Sequence, residues 1–284
     1  MSRLGTFVVV LLVTGLLATP AAVAQTAAPS ATPPAQTTLT VEQIKDFLQH
    51  AKVVKVRNTN KGVTAPRRLT LSNGTIEHDA VFQAIDDHQL VASLSGGGRP
   101  GTSELNFVDS YKYNIAAYEV ATLLGLDDMM PVYVERKWDG KSGSISWFVP
   151  TLMDESERLK KKVEPPNATD WNNQMYRMRV FSSFVHDNDR NLTNVLITPQ
   201  WQLIMIDFSR AFRLQPELLH SRDLTRLDRA LFAKLQALDR RDVERVTKDF
   251  LTAREIDPLM QRRDLIVAHF KQLIAEIGED KVLY

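Results

Sequence analysis

The chain has 284 residues, 44% of them hydrophobic, with 35 basic against 34 acidic side chains and no cysteine. Near-neutral charge offers no bulk attraction to nucleic acid or to an anionic membrane surface. Without cysteine there is no disulfide, no thiolate metal site and no thiol nucleophile or lipid anchor.

Met1–Ala24 reads as a secretory signal. Arg3 is the basic start, "FVVVLLVTGLLA" the apolar run, and "AVA" at Ala22–Ala24 the small-residue cleavage site. The apolar run falls short of the about 20 residues a bilayer span needs. Cleavage is therefore expected, leaving an exported chain, periplasmic or extracellular, without a stable membrane span. The cut removes Arg3 and no acid, so 35 less one leaves 34 basic residues against 34 acidic ones. Residues 25–39, Ala/Pro/Thr-rich, read as a disordered linker.

Order is expected from Thr40. "TVEQIKDFLQHA" carries a Thr N-cap with Gln43 three residues on, and Ile44, Phe47 and Leu48 on one face. "AKVVKV" reads as a strand, followed by strands near Arg68–Leu71 and Ala80–Ile85 joined at a "SNG" turn. "SGGGRPG" is a loop. "DSYKYNIAAYEVATLLG" reads as a helix capped by Asp109, with Ile115, Tyr118 and Thr122 on one face and Gly125 as its stop. "MMPVYVERKWDGKSGSISWFVP" gives two strands around a "DGKSG" turn.

The second half reads as mainly helical. "DWNNQMYRMRVFSSFVH" places Met175, Met178, Phe181 and Val185 at helical spacing and leads into an acidic loop. After Phe212 helical spacing runs to the end of the chain. The Lys160–Lys162 run reads as exposed surface.

Between these helical parts lies "FVHDNDRNLTNVLITPQWQLIMIDFSRAF". Val195–Thr198 and Trp201–Ile206 form an expected hairpin turning at Pro199-Gln200. Asn194 then falls opposite Met205, close to Asp207 at the open end, with Asp189 in the loop feeding it. An amide oxygen and a carboxylate on rigid strands suit Mg²⁺ or Mn²⁺, hard cations that take oxygen ligands and keep waters. Asp189 can then accept a hydrogen bond from an incoming hydroxyl. His186 beside the loop reads as a hydrogen-bonded structural histidine.

"DRNLTN" resembles the Asp-Arg-x-x-x-Asn loop of atypical kinases, the phosphatidylinositol 3/4-kinase-like group, with HipA-type and secretory-pathway kinases as distant relatives. "LIMIDFSRAF" is similar to their Ile-Asp-Phe-Gly element, with Ser209 where glycine is usual. The resemblance spans about Lys52–Leu238. It implies an α+β, two-lobed protein-kinase-like fold: a β-rich N-terminal lobe over 40–150 and a mainly helical C-terminal lobe over 151–284, the cleft walled by Met129–Pro150 and the acidic loop. It implies Asp189 as base or hydroxyl orienter, Arg190 as a brace for the loop or a phosphate, and Asn194 and Asp207 as metal ligands. ATP or another nucleotide, with Mg²⁺ or Mn²⁺, is the implied cofactor. Lys61, Gly62, Arg67 and Arg68 fall in the first hairpin over the phosphates, and Glu119 at the usual partner of the nucleotide-binding lysine.

One position departs from the pattern: Gln83 stands where that lysine belongs. An amide can donate to a phosphate but brings no charge, and Lys112 or Arg68 or Lys61 are the cations that could compensate. The expectation is an exported kinase-like protein carrying out phosphoryl or nucleotidyl transfer to a hydroxyl of a protein, sugar or lipid. The alternatives are a catalytically impaired pseudokinase serving as an envelope binding or scaffold module, and a small-molecule or metal-binding protein that reuses the cleft.

Overall fold

The computed structural model describes residues 39–58, 66–93 and 103–284, which belong to one unit, Leu39–Tyr284. Residues 1–38, with the expected signal and most of the expected linker, as well as Lys61, Gly62 and the 95–101 segment, lie outside the described residues. Among the described residues, no helix is long and apolar enough to cross a membrane.

The N-terminal region begins with helix α1, Val41–His50. Thr40 accepts from the Gln43 backbone while the Gln43 side chain accepts from the Thr40 backbone, the reciprocal cap expected. Five antiparallel strands follow in the spatial order β1-β2-β3-β7-β6. They are β1 (Lys52–Asn58), β2 (Arg67–Ser72), β3 (Glu77–Gln83), β6 (Tyr133–Trp138) and β7 (Lys141–Trp147). Phe47, Leu48 and Ala51 of α1 and its cap pack on Leu69, Leu71, Ala80, Phe82, Val134 and Ile145. Arg136 donates to the carbonyls of Leu48 and Ala51, both at 2.7 Å, satisfying acceptors that the end of α1 leaves open. A Cβ at Gly143 would meet the Gln83 carbonyl at 2.5 Å, so glycine is what lets β7 approach β3 there.

The sequence reading passed over a second hairpin, β4 (Asp86–Ser93) with β5 (Ser103–Ser110), inserted before the helix. That helix, α2 (Tyr111–Leu124), is capped by Ser110, not Asp109: the Ser110 hydroxyl accepts from the Lys112 N–H. Gly125 ends it at φ 68°, where an L side chain is strained. Ile115 and Tyr118 of the expected face are buried, but Thr122 is exposed.

The C-terminal region opens with the two-residue strand β8 (Met153–Asp154) and α3 (Glu155–Lys161), then α4 (Ala168–Phe184). Lys160–Lys162 are exposed. Strands β9 (Val195–Ile197) and β10 (Leu203–Met205) form a small sheet with β8 in which β9 is central. Helices α5 (Arg229–Ala237), α6 (Arg240–Thr247), α7 (Ala253–Ile277) and α8 (Glu279–Val282) complete the region. Its core joins Ile115, Val120 and Leu124 of α2 to Phe181 and Phe184 of α4, Met205 of β10, Phe208 after the hairpin, and Ile266 and Phe270 of α7.

One cation lies inside this core. Arg262 has no solvent exposure and donates to the carbonyls of Phe184 (2.7 Å), Arg213 (3.0 Å) and Gln215 (2.6 Å). It joins α7 to the end of α4 and to the segment after the hairpin. Arg262→Met keeps an unbranched apolar stem but leaves three buried carbonyls without that donor, so about 3 kcal/mol of stability should be lost. Urea unfolding measures it; an unchanged midpoint would show that the tie contributes nothing net.

Candidate functional site

Helix α4 delivers the chain into the acidic loop through His186, whose φ of 48° turns the backbone sharply. Asp187 follows, 3% exposed and ion-paired with Arg190. It also accepts from the Asp189 backbone at 3.2 Å. Burial pushes the Asp187 carboxyl above its ordinary range, and the Arg190 charge opposes that.

Arg190 is a brace. Beside its pair with Asp187, its Nη1 donates to the carbonyls of Asn194 (3.1 Å) and Ile206 (2.5 Å), and its guanidinium lies 4.1 Å from the Phe208 ring centre. These partners span the loop, the residues that flank the hairpin on both sides and the segment beyond.

The hairpin has one more residue of reach than expected. Met205 pairs with Val195, and it is Ile206 whose N–H donates to the Asn194 carbonyl, at 3.1 Å. Asn194 therefore sits one position nearer Asp207 than a pairing with Met205 gives. Both line a cavity of about 290 Å³ between the five-stranded sheet and the hairpin. Val81 and Gln83 of β3, Tyr133 of β6 and Phe148 line it too, as do Asp154 and Leu196. Burial, and next the charge of Asp207, raises the Tyr133 phenol, which hydrogen-bonds the Asp207 backbone.

Asp207 adopts φ 59°, and Ser209 donates to its Oδ1 at 3.1 Å. The left-handed step thus falls on Asp207, a residue type that tolerates it, and not on Ser209. The absence of the usual glycine costs no strain at Ser209.

Asp189 keeps its carboxylate half-exposed, 3.5 Å from Arg210. Asp109, on β5, faces the same region. Burial raises its carboxyl, the charges of Asp207 and Asp189 add to this, and Ser209 and Arg210 oppose it.

Two charged side chains of α2 expected beside Gln83 are paired elsewhere. Glu119 is paired with Lys45 of α1 at 2.7 Å, and Lys112 approaches Asp86 at 3.8 Å. The residue of α2 that meets Gln83 is Asn114, at 2.7 Å. Glu119 lies five residues beyond Asn114, roughly 140° around the helix, and Lys112 two before it, roughly 200° away. So Glu119 is not the partner at the lysine position, and Lys112 is held elsewhere. Arg68 is bound to Asp79, 2.6 Å away, and lies 3.6 Å from the Phe148 ring centre at the edge of the cavity. Asn114 was missed although a signal existed: it is the one polar side chain on the stripe with Ala117, Tyr118 and Ala121.

A hydra Fam20 protein, determined with sugar, superposes with a TM-score of 0.61 over 86% of this chain and 92% of that one, at 13% identity. The Golgi casein kinase with Mn/ADP bound gives 0.59 over 86% and 78%, also at 13% identity. The fold is kinase-like. No protein-family model matches the sequence, and no curated protein matches it.

His186 is buried, donates from Nδ1 to the Glu217 carbonyl (3.1 Å), and lies near Arg262. Burial lowers its imidazole from 6.5 to about 4, with the Arg262 charge adding to the shift. The unfolded chain takes up this proton below its ordinary value and the folded chain does not. Stability is therefore lost as pH falls from 6.5 toward 4, by up to about 3 kcal/mol from this residue. His186→Asn, which suits the left-handed backbone, should remove that share. Urea unfolding at pH 7 and pH 4.5 gives the difference; equal acid losses in both proteins would assign the sensitivity to other groups.

Proposed function

We propose that the chain is an atypical kinase-like phosphotransferase that binds a nucleotide and a divalent cation in the cavity between sheet and hairpin. The observation that carries this reading is that Asn194 and Asp207, from the two ends of one hairpin, line the same cavity as Gln83 of the sheet. The donor set fits a hard cation: one amide and one carboxylate supply oxygen, with room for waters and phosphate. Among the described residues, no group of three or more His, Cys, Asp or Glu could hold a metal ion. The protein ligands are therefore few, and the cation's affinity depends on phosphate oxygens supplied by the nucleotide. Asn194 and Asp207 are the residues that would hold Mg²⁺ or Mn²⁺, the latter with ADP being what the Golgi casein kinase structure contains. A bound cation neutralises charge developing on the transferring phosphoryl group.

The chain's own residues supply the rest. Asp189, outside the cavity lining and half-exposed, is the residue proposed to accept the proton of an incoming hydroxyl. Arg190 and the buried Asp187 hold that loop to the hairpin, fixing Asp189 relative to Asp207. Tyr133 hydrogen-bonds the Asp207 backbone. The acceptor is a hydroxyl on a protein, sugar or lipid, and transfer of a nucleotidyl group is the variant reaction. Export to a periplasmic or extracellular setting rests on the Met1–Ala24 pattern.

A second reading, a pseudokinase acting as a binding module, is favoured by one observation. Two neutral amides, Gln83 and Asn114, stand where a lysine and a carboxylate are expected. Losing the cation in a water-poor cleft weakens phosphate binding and transition-state stabilisation.

Calorimetric titration of the purified chain with ADP or ATP in Mg²⁺ or Mn²⁺ tests the shared premise. Cation-dependent binding is expected, with Asp207→Ala weakening it at least about tenfold. An Asp207→Ala protein that binds as well as wild type would remove the assignment. Asp189→Asn should leave binding intact and lower the transfer rate by about 100-fold or more. If binding is cation-dependent but the wild-type chain transfers no phosphate to itself or to a panel of hydroxyl acceptors, the pseudokinase reading stands.

A further inference from the structure

We propose that Ser209 is a positioning residue that sets which cation the cavity accepts. Its hydroxyl holds one oxygen of the Asp207 carboxylate, so that Asp207 offers a single oxygen and the site favours Mg²⁺ or Mn²⁺ over Ca²⁺. The inference rests on the nucleotide and cation reading of the cleft and adds to it a residue and a selectivity.

Backbone contacts on both sides leave Asp207 little freedom. Before it, the Ile206 N–H donates to the Asn194 carbonyl at 3.1 Å. After it, the Phe208 N–H donates to Asn114 Oδ1 at 2.7 Å. Ser209 is 3% exposed, and its carbonyl accepts from the Ser110 N–H at 2.8 Å, at the base of the β4–β5 hairpin. With the main chain tied at φ 59°, what is left to decide is how the Asp207 carboxylate turns. The Ser209 hydroxyl decides it by donating to Oδ1 at 3.1 Å. Asp207 lines the cavity, and the oxygen this bond leaves over is Oδ2.

Glycine, the usual residue at this position of the Ile-Asp-Phe-Gly element, has no donor to give. The departure from that pattern therefore adds a hydroxyl at the place where a cation ligand needs orienting.

Ligand number separates the cations. Mg²⁺ demands near-octahedral geometry and keeps waters, and Mn²⁺ suits the same oxygen donors. One carboxylate oxygen and one amide oxygen suffice for them when phosphates and water fill the remaining positions. Ca²⁺ takes roughly six to eight oxygens and often grips a carboxylate through both of its own. For Asp207 to be gripped in that way, Oδ1 has to give up the Ser209 proton. Asp109 also reaches this hydroxyl, so the displaced proton has a second acceptor. What is lost is then one hydrogen bond exchanged for another, not a hydroxyl left bare. The discrimination expected from Ser209 is accordingly about fivefold.

The test is calorimetric titration of the purified chain with ADP in Mn²⁺, Mg²⁺ or Ca²⁺, with thermal unfolding midpoints measured beside it. Wild type should bind ADP more tightly with Mn²⁺ or Mg²⁺ than with Ca²⁺. Ser209→Ala keeps the Cβ and removes the donor. Its ratio of Mn²⁺-supported to Ca²⁺-supported affinity should fall by about fivefold. A residue that only supports the fold would lower the midpoint and weaken binding by the same factor with every cation.

Ser209→Gly removes the same donor without adding bulk, and gives an independent arm should Ser209→Ala fail to fold. The same fall in the ratio is expected. A ratio unchanged in the variants, or a wild-type chain that binds ADP equally well with all three cations, would overturn the role of Ser209 alone. No cation-dependent ADP binding by the wild-type chain would overturn the nucleotide and cation reading, and this inference with it.

Discussion

The geometry of the candidate site depends on one buried guanidinium. Arg190 joins the Asp187 carboxylate, the carbonyls at both ends of the β9–β10 hairpin and the face of Phe208. Two buried charges are costly unless paired and further hydrogen-bonded, and here each has more than one partner. The planar fork serves this better than an ammonium could, since it donates in several fixed directions at once. Asp189, Asn194 and Asp207 each lie within a residue or two of one of these contacts. Their relative placement is therefore set by a single side chain that need not touch a ligand.

Helix α2 has a complementary part. Most of its surface is buried, and it meets the sheet region through Asn114 and the helical region through residues such as Val120 and Leu124. Its polar contacts are sorted by direction. Asn114 faces inward to Gln83 and Phe208, while Glu119 and Lys112 face outward to Lys45 and Asp86. The inward contact is neutral and fully buried; the outward ones are charged and partly in water. Burying an unpaired charge is far more costly than burying a satisfied amide, which accounts for that sorting. Arg262 repeats the pattern on the far side, where a buried cation is tolerated because three carbonyls accept from it.

What could be read from the sequence was what local chemistry decides. The Thr40–Gln43 cap, the Gly125 stop and the β6–β7 turn at Asp139-Gly140 each depend on residues a few positions apart. The meeting of Asn194 with Asp207 was legible for the same reason, because a short hairpin leaves little choice of where its ends go. The β4–β5 hairpin was not legible: the pairing of Asp86 with Ser110 spans a glycine-rich segment, and "DDHQLVAS" lacks a clean alternation. Nor was the partner of Gln83. Picking Glu119 followed a general kinase pattern, but which face of α2 turns toward β3 is settled by the packing of the whole helix. The polar residue sitting on its apolar stripe was the better guide.

Gly143 has a consequence for how the chain can vary. It sits mid-strand on β7, away from Asp189 and the hairpin, yet a methyl there would collide with the Gln83 carbonyl and, at 2.7 Å, with the Phe82 ring. A larger residue would wedge β7 from β3 at the position from which the Gln83 amide reaches Asn114. The spacing of the sheet thus acts as a gauge for the cleft. Alanine at 143, a mild change in composition, would be transmitted as a displacement of the cavity wall, so tolerance to substitution at this strand position reports on the site more directly than exposure or distance from the acidic loop would suggest.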